Sequence, residues 1–268
     1  MNGLTVVIPS RNPVNLMACL KAVNANDPAA RLMVIDDGIA DSPDWNTIPV
    51  RHFSDPIPED EKFLSLQDPS RWIQGVKPFV YARNCNLGIK AAGTDDILLL
   101  NDDALLCSPG GFSLMQQQAY AHPLYGIISA TCNNVGNVNQ HPTGQHYPED
   151  LVRPMLRSEP RMICFVATLI PRRTIDSVGL LCEEFVGYGF EDDDYCARVR
   201  KAGLKIGIFE GCFVDHSRLK STFRGERYPV AGFRHNEQIY QRKVASGEYN
   251  QANNISYPPL SVYDPRRN

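Results

Sequence analysis

Three nearly unbroken apolar runs, each ending in acids or a short polar turn, constrain the fold more than any other feature of the chain. Leu4 to Ser10 reads LTVVIPS, Arg31 to Gly38 reads RLMVIDDG, and DDILLLNDDALL follows Thr94. Runs this apolar and β-branched are strands covered on both faces, the condition of a parallel sheet. Between the first two, Asn12 or Asn15 can cap a helix that puts Leu16, Leu20 and Val23 on one side. Strand, helix, strand at this spacing is a βαβ unit with a right-handed crossover. The expected fold class is therefore α/β, with a mixed, mostly parallel central sheet flanked by helices.

The remaining chain fills in that frame. From Ile39 to about Pro78 the pattern is lost to proline and charge, which reads as a surface excursion with a short strand near Val50. VYARNCNLGIKAAG predicts a helix with Ala82, Leu87 and Ala91 on its stripe and Gly93 at its end. FSLMQQQAYAHP predicts another helix, YGIISATC a strand, and MICFVATLIPRRTIDSVG a strand and then a helix. DDDYCARVRKAG is a helix with Tyr195 and Val199 inward, and KIGIFEGCFVDHSRL a bent strand or strand pair ending in His216. Asn133 to Pro160 is polar and expected to be mobile, and NEQIYQRKVASG is a helix in the tail.

A chain of 268 residues suits one large α/β domain or two tightly joined halves. A net charge of -3 gives no reason to expect nucleic acid or an anionic membrane as partner. No stretch of about 18 apolar residues occurs, so no membrane span is expected. The opening MNGLTVVIPS has neither a basic start nor a cleavage site and reads as a strand. The 8 cysteines lack any CxxC pair and mostly sit in apolar runs. That is the usage of buried free thiols in a reducing, cytoplasmic compartment, and it disfavours zinc.

Acids gather at three places: Asp36-Asp37, Asp102-Asp103 and Glu191 to Asp194. Ligands of open α/β sheets bind beyond the carboxyl ends of the strands, so the three clusters are expected to converge on one crevice. Asp-Asp-Gly after a strand serves as a turn as readily as a site, and Asp102-Asp103 could merely cap a helix. Paired carboxylates without a neighbouring Lys or Arg suit a hard divalent cation, and His216, ending a strand, would tilt the preference from magnesium to manganese.

VVIPSRN, VIDDG, ARNCNLGIKAA and LLLNDDA, in this order, resemble the nucleotide-binding half of family 2 glycosyltransferases with the GT-A (Rossmann-like) fold. GYGFEDDDYCARVRKAG and GCFVDHSR are similar to the beta-1,4-galactosyltransferase signature and its closing strand. The resemblance implies that Pro9, Ser10, Arg11 and Asp37 face the base and ribose of a nucleotide-sugar, with a pyrimidine donor such as a UDP-sugar. Arg83 would lie near the base or diphosphate, and Asp102 near the ribose or ion. Asp103 and His216 would bind Mn2+ or Mg2+. Asp192 would be the general base, with Glu191 beside it. Tyr188, Gly189, Phe190 and Asp193 would meet a carbohydrate acceptor, and Asp194 would serve the helix.

Departures accompany the resemblance. Asn101 stands where a DxD motif begins, and Phe213 where the galactosyltransferases place a methionine ligand. Tyr188 replaces their tryptophan, and Phe190 a glycine. The implied activity is inverting, metal-dependent transfer of a hexosyl or N-acetylhexosaminyl unit to a glycan or other hydroxyl. A retaining transferase, a nucleotidyltransferase or a non-catalytic nucleotide-sugar or glycan binder are the alternatives. The implied division is a catalytic domain over 1–236 (donor half 1–106, acceptor half 107–236) and a C-terminal helix and tail over 237–268. The basic stretch after His216, with Arg218, Lys220, Arg224, Arg227, Gly225 and Gly232, is either a lid or a solvated loop.

Overall fold

The computed structural model describes residues 1–39, 72–143, 155–221 and 230–249. The expected strand near Val50, the glycine-containing part of the basic stretch at Gly225 and the end of the tail lie outside these residues. β1 (Leu4–Ser10), α1 (Pro13–Asn26) and β2 (Arg31–Asp36) form the βαβ unit. Asn12 caps α1, its Oδ1 accepting from the amides of Val14 and Asn15 at 3.1 Å. β3 (Trp72–Gln74), α2 (Tyr81–Ala91), β4 (Asp96–Leu100), β5 (Leu105–Leu106), α3 (Gly111–Ala121) and β6 (Tyr125–Cys132) follow. After a 3-10 turn at Val138–Gln140 come β7 (Leu156–Glu159), β8 (Ala167–Ile170), α4 (Arg172–Val178), α5 (Glu191–Lys201), β9 (Lys205–Asp215) and α6 (Val230–Ala245).

The strands make one 9-stranded sheet in the order β3-β2-β1-β4-β8-β6-β9-β5, with β7 also paired to β9. β3, β2, β1, β4, β6 and β9 run one way, and only β8, β5 and β7 run against them. Period-two alternation divides each central strand between two cores. Val6, Ile8, Val34, Leu98 and Leu100 pack under α1 and α3, with Leu16, Leu20, Phe112 and Met115. Val7, Met33, Ile35, Ile97 and Leu99 pack on the other face under α2, α4 and α5, with Cys85, Ile89, Ile175 and Tyr195. Each such side chain contributes about 1.5–3 kcal/mol when fully buried. α2 lies close against β1 because Gly88 has no Cβ; one there would overlap the Val7 side chain.

Four expectations are corrected. The stripe of α2 is Ala82, Cys85 and Ile89, while Leu87 is half-buried and Ala91 exposed. Buried Asn84 and Asn86 share that face and were invisible to an apolar period. β3 adds a parallel strand at the sheet edge, at Trp72–Gln74, within an excursion expected to carry a short strand only near Val50. Within 133–160 the chain forms the 3-10 turn and β7, which the polar composition hid. The C-terminal helix expected over NEQIYQRKVASG begins earlier than its apolar pattern suggested, at Val230. All eight cysteines are free thiols, five of them buried. Among the described residues no helix is long and apolar enough to cross a membrane.

Candidate active site

Because β1, β2, β4 and β9 run the same way, Ser10, Asp36, Asn101 and His216 all emerge at one edge of the sheet. α5 turns tightly into β9 at Gly203 (φ 78°), so its N-terminus returns to that edge. β9 reaches it through a bulge: its pairing with β6 jumps from Ala130–Phe209 to Thr131–Phe213. Thr131 Oγ1 donates to the Cys212 carbonyl at 2.9 Å across the jump. The bulge re-aims the last residues of the strand.

There His216 Nε2 lies 3.0 Å from Asp103 Oδ1. The imidazole Nδ1 is 3.0 Å from the Asn134 carbonyl oxygen, an acceptor, so Nδ1 carries the hydrogen and a neutral ring keeps a bare lone pair on Nε2. A lone pair and a carboxylate oxygen facing each other need a proton or a cation between them. Two ligands at right angles, each about 2.1 Å from an octahedral ion, are about 3.0 Å apart. The donor set therefore fits a hard divalent cation that accepts nitrogen. Among the described residues no third His, Cys, Asp or Glu completes a cluster. Asn101 and Phe213 stand off from it: the Asn101 Oδ1 accepts from the Tyr81 hydroxyl at 3.4 Å, and Phe213 is 9% exposed with its amide on Ser108.

His216 is clamped by two residues that the sequence reading missed. Asn133 Oδ1 accepts from the His216 amide at 2.6 Å, and Asn134 Nδ2 donates to the His216 carbonyl at 3.0 Å. Asn134 sits at φ 51°, a conformation asparagine tolerates. Asp215 holds the same turn through the Ser217 amide and hydroxyl and the Asn133 amide. Burial acts against its charge, yet these bonds and Arg218 at 2.6 Å keep its carboxyl below the usual range.

On the donor-facing side the two acids after β2 part company. Asp36 is committed to structure: its Oδ1 accepts from the amides of Gly38 and Ile39, and its Oδ2 from the Trp72 indole. Asp37 faces Asn84, whose Nδ2 donates at 3.2 Å, and Arg11 at 3.8 Å. Burial first of all raises its pKa, against the pull of Asn84 and Arg11. Arg11 also lies over the Phe79 ring, 5.0 Å from its centroid. Asp102 accepts from the Ser10 hydroxyl at 2.6 Å, and burial with the Asp103 charge pushes it up to about 7. Pro9 is held in register against Ile35 in β2. Arg83 braces the turn before α2, its Nη2 donating to Pro78 O at 2.7 Å.

The acidic turn divides its four carboxylates among three jobs. Glu191 folds back to accept from the Gly189 amide at 2.6 Å. Asp194, wholly buried, is tied to Arg198 at 2.8 Å, to the Tyr249 hydroxyl at 2.5 Å and to Lys243 at 3.5 Å. Asp192 and Asp193 are only half-buried. Burial raises Asp192 to about 6, and burial with the Asp192 charge raises Asp193 to about 8. Glu191 is also raised well above its ordinary value, by burial and then by Asp192. Of the two half-buried carboxylates, Asp192 ionises before Asp193.

Tyr188 connects this turn to the Asp103 side. Tyr188 is 41% exposed as a residue, yet its hydroxyl end is crowded by protein, and that desolvation, then the charges of Glu191, Asp192 and Asp103, push its phenol up. Its ring packs edge-on against Tyr81, whose hydroxyl reaches Asn101. Phe190 does not share that surface. It is 7% exposed, and its ring packs at 4.9 Å and 5.6 Å from those of Phe233 and Tyr240, docking the turn on α6. Phe190 also caps α5 at φ 72°, a left-handed conformation costing about 1–2 kcal/mol for a residue with a side chain.

The chain has the GT-A fold: a mixed, mostly parallel sheet between helices, with acids and a histidine at the carboxyl edge of its strands. No protein-family model matches the chain, and no curated protein matches it in sequence. Among solved structures it is similar to GalNAc-T7, crystallised with UDP, GalNAc and Mn2+, with a TM-score of 0.57 at 12% identity. That likeness covers 81% of this chain and 44% of the other. It is similar also to the mannosyltransferase PcManGT from Pyrobaculum calidifontis in complex with GDP-Man and Mn2+, with a TM-score of 0.60 at 13% identity. Here 96% of this chain and 66% of the other are covered, so the chain spans well under the full length of either. At these identities the likeness is one of fold.

Proposed function

We propose that this protein is an inverting glycosyltransferase that uses a divalent cation, Mn2+ or Mg2+, and a nucleoside-diphosphate sugar, with UDP as the first candidate for the nucleotide. The observation that carries the reading is His216 Nε2, turned to within 3.0 Å of Asp103 Oδ1 while Nδ1 faces the Asn134 carbonyl, on a sheet edge that also presents Asp192. GalNAc-T7 and PcManGT, two solved structures to which the fold is similar, each hold Mn2+ and a nucleotide or nucleotide-sugar.

Asp103 and His216 hold the cation, which when bound neutralises the diphosphate of the leaving group. Asp37, oriented by Asn84, accepts a hydrogen bond from the base. Pro9, Ser10 and Arg11 line the base and ribose, and Ser10 keeps Asp102 turned toward the same pocket. Tyr188 and Gly189 shape the acceptor pocket with Asp193. Asp192 takes the proton of the acceptor hydroxyl as that oxygen bonds to the anomeric carbon. The bond from the anomeric carbon to the phosphate oxygen breaks, and the nucleoside diphosphate departs with its electron pair. Asp192 is raised less than Asp193, to about 6 against about 8, which leaves Asp192 ionised at neutral pH. The donor half is 1–106, and the acceptor half runs from 107 through α6. The cysteine usage fits a cytoplasmic setting.

The test is nucleotide release from a panel of UDP-, GDP- and dTDP-sugars with glycan acceptors, with and without Mn2+. Release that depends on metal, and a product of inverted anomeric configuration by NMR, is expected. Tight nucleotide binding without turnover on any acceptor would make the protein a binder, and a retained configuration would remove Asp192 from its role.

A further inference from the structure

Asn236 of α6 is wholly buried, and its amide is spent on the backbone of the turn that leads into the acids. Its Oδ1 accepts from the Val186 amide at 2.9 Å. Its Nδ2 donates to Val186 O at 2.9 Å and Gly189 O at 3.0 Å, with Tyr188 O further off at 3.4 Å. Two further polar groups of the turn go to residues already described. The Gly187 carbonyl accepts from the Tyr81 amide at 2.7 Å, and the Gly189 amide donates to Glu191.

This turn needs such support. Gly187, Gly189 and Phe190 have φ of 64°, 107° and 72°, so the chain bends three times through left-handed backbone in four residues. A conformation with a non-glycine residue in that region persists where its surroundings over-determine it. α6 supplies most of the surroundings, through Asn236 and through the Phe233 and Tyr240 rings on Phe190. None of these side chains lies among the donor-facing or cation-facing residues.

We propose that Asn236 is a positioning residue: by fixing the backbone of Val186 to Gly189 it sets where Tyr188, Asp192 and Asp193 stand relative to the acceptor. This deepens the proposed function and rests on it. It also makes the C-terminal helix a working part of the acceptor site. Misplacing reacting groups by about 1 Å can cost about a hundredfold in rate, whereas the donor side is built on β1, β2, β4 and β9.

The experiment compares wild type with Asn236→Ala and Asn236→Asp in the full chain. The second keeps an acceptor for the Val186 amide and removes both donated bonds. In the folded variants kcat for transfer is expected to fall about a hundredfold while the Kd of UDP with Mn2+ stays within twofold. Hydrogen exchange at the amides of Val186 and Gly189 is expected to quicken by about tenfold or more, as local opening becomes easier. Unchanged exchange overturns the inference whatever the activity, as does unchanged transfer, or a parallel loss of transfer and nucleotide affinity. If neither variant folds, Asn236 is a residue of general stability and the inference falls. A wild type that transfers no sugar overturns the proposed function instead, and the exchange measurement then decides the role of Asn236 by itself.

Discussion

His216 Nε2 and Asp103 Oδ1 stand 3.0 Å apart although 113 positions separate them in the chain. The fold makes that meeting unavoidable. β4 and β9 run the same way, the bulge in β9 re-aims its end, and β5, which follows Asp103, pairs with β9 at Leu105–Asp215. Asn133 and Asn134, at the end of β6, then hold the histidine from main chain and ring.

Removing the imidazole should abolish the metal dependence of nucleotide binding. His216→Ala is expected to bind UDP equally with and without Mn2+ by calorimetry. Asn133→Ala, which only loosens the histidine, should weaken Mn2+ about 10–100-fold, the usual effect of losing an outer partner of a metal ligand. Mn2+ titration followed by electron paramagnetic resonance reads both. Undiminished affinity in both variants would place the cation elsewhere.

Asp192→Asn should lower kcat/KM for transfer by about 10²–10⁴-fold, the contribution of a positioned general base. Nucleotide affinity should be unaffected. Asp193→Asn should act mainly on the acceptor KM. If Asp192→Asn turns over at the wild-type rate, displacement assisted by this base is excluded.

The parts of this molecule written locally were legible in the sequence. β1, β2 and β4 announce themselves by apolar runs, and their ends by acids, because both faces of those strands are buried. β3 was missed because three residues at an edge, Trp72–Gln74, carry no period. Asn84, Asn133, Asn134 and Asn236 were missed for a different reason. Each acts through hydrogen bonds to chain far away in sequence, and an asparagine destined for such a bond looks like any turn residue. Phe190 was placed beside the acceptor by the resemblance, and nothing next to it in sequence points to a partner helix. Only the arrival of α6 shows that its ring is a docking surface.

The acid cluster gives two pH signatures of opposite sense. Burial raises Asp192 to about 6 in the folded protein, above its ordinary value near 4. The folded state therefore holds a proton that the unfolded chain has lost over this interval. The stability contributed by protonated Asp192 is complete below about pH 4 and is lost as pH rises through about 6. Activity runs the other way, since the base must be ionised: kcat/KM should climb through about pH 6 and then level. Asp192→Asn should remove that limb and raise Tm at pH 7 by about 2–4 °C, the shift expected of roughly 1 kcal/mol in a chain of this size.

Asp194 offers the clearest test of what holds α5 to α6. Its carboxylate has no exposure and faces Arg198, Lys243 and the Tyr249 hydroxyl. Asp194→Ala would leave two cations facing an emptied, dry pocket, a loss that typically costs about 3–5 kcal/mol. Lys243 keeps a second partner, Glu248 at 2.6 Å, and Arg198 keeps the Val178 carbonyl at 3.1 Å, so the lower end of that range is expected. Tyr249→Phe removes one hydrogen bond to the carboxylate and should cost about 1–2 kcal/mol. Urea unfolding reads both as a lowered midpoint at constant slope. An Asp194→Ala midpoint within error of wild type would mean that the apolar cluster of Phe190, Ala197, Ile239 and Tyr240 joins the two helices without help from the carboxylate.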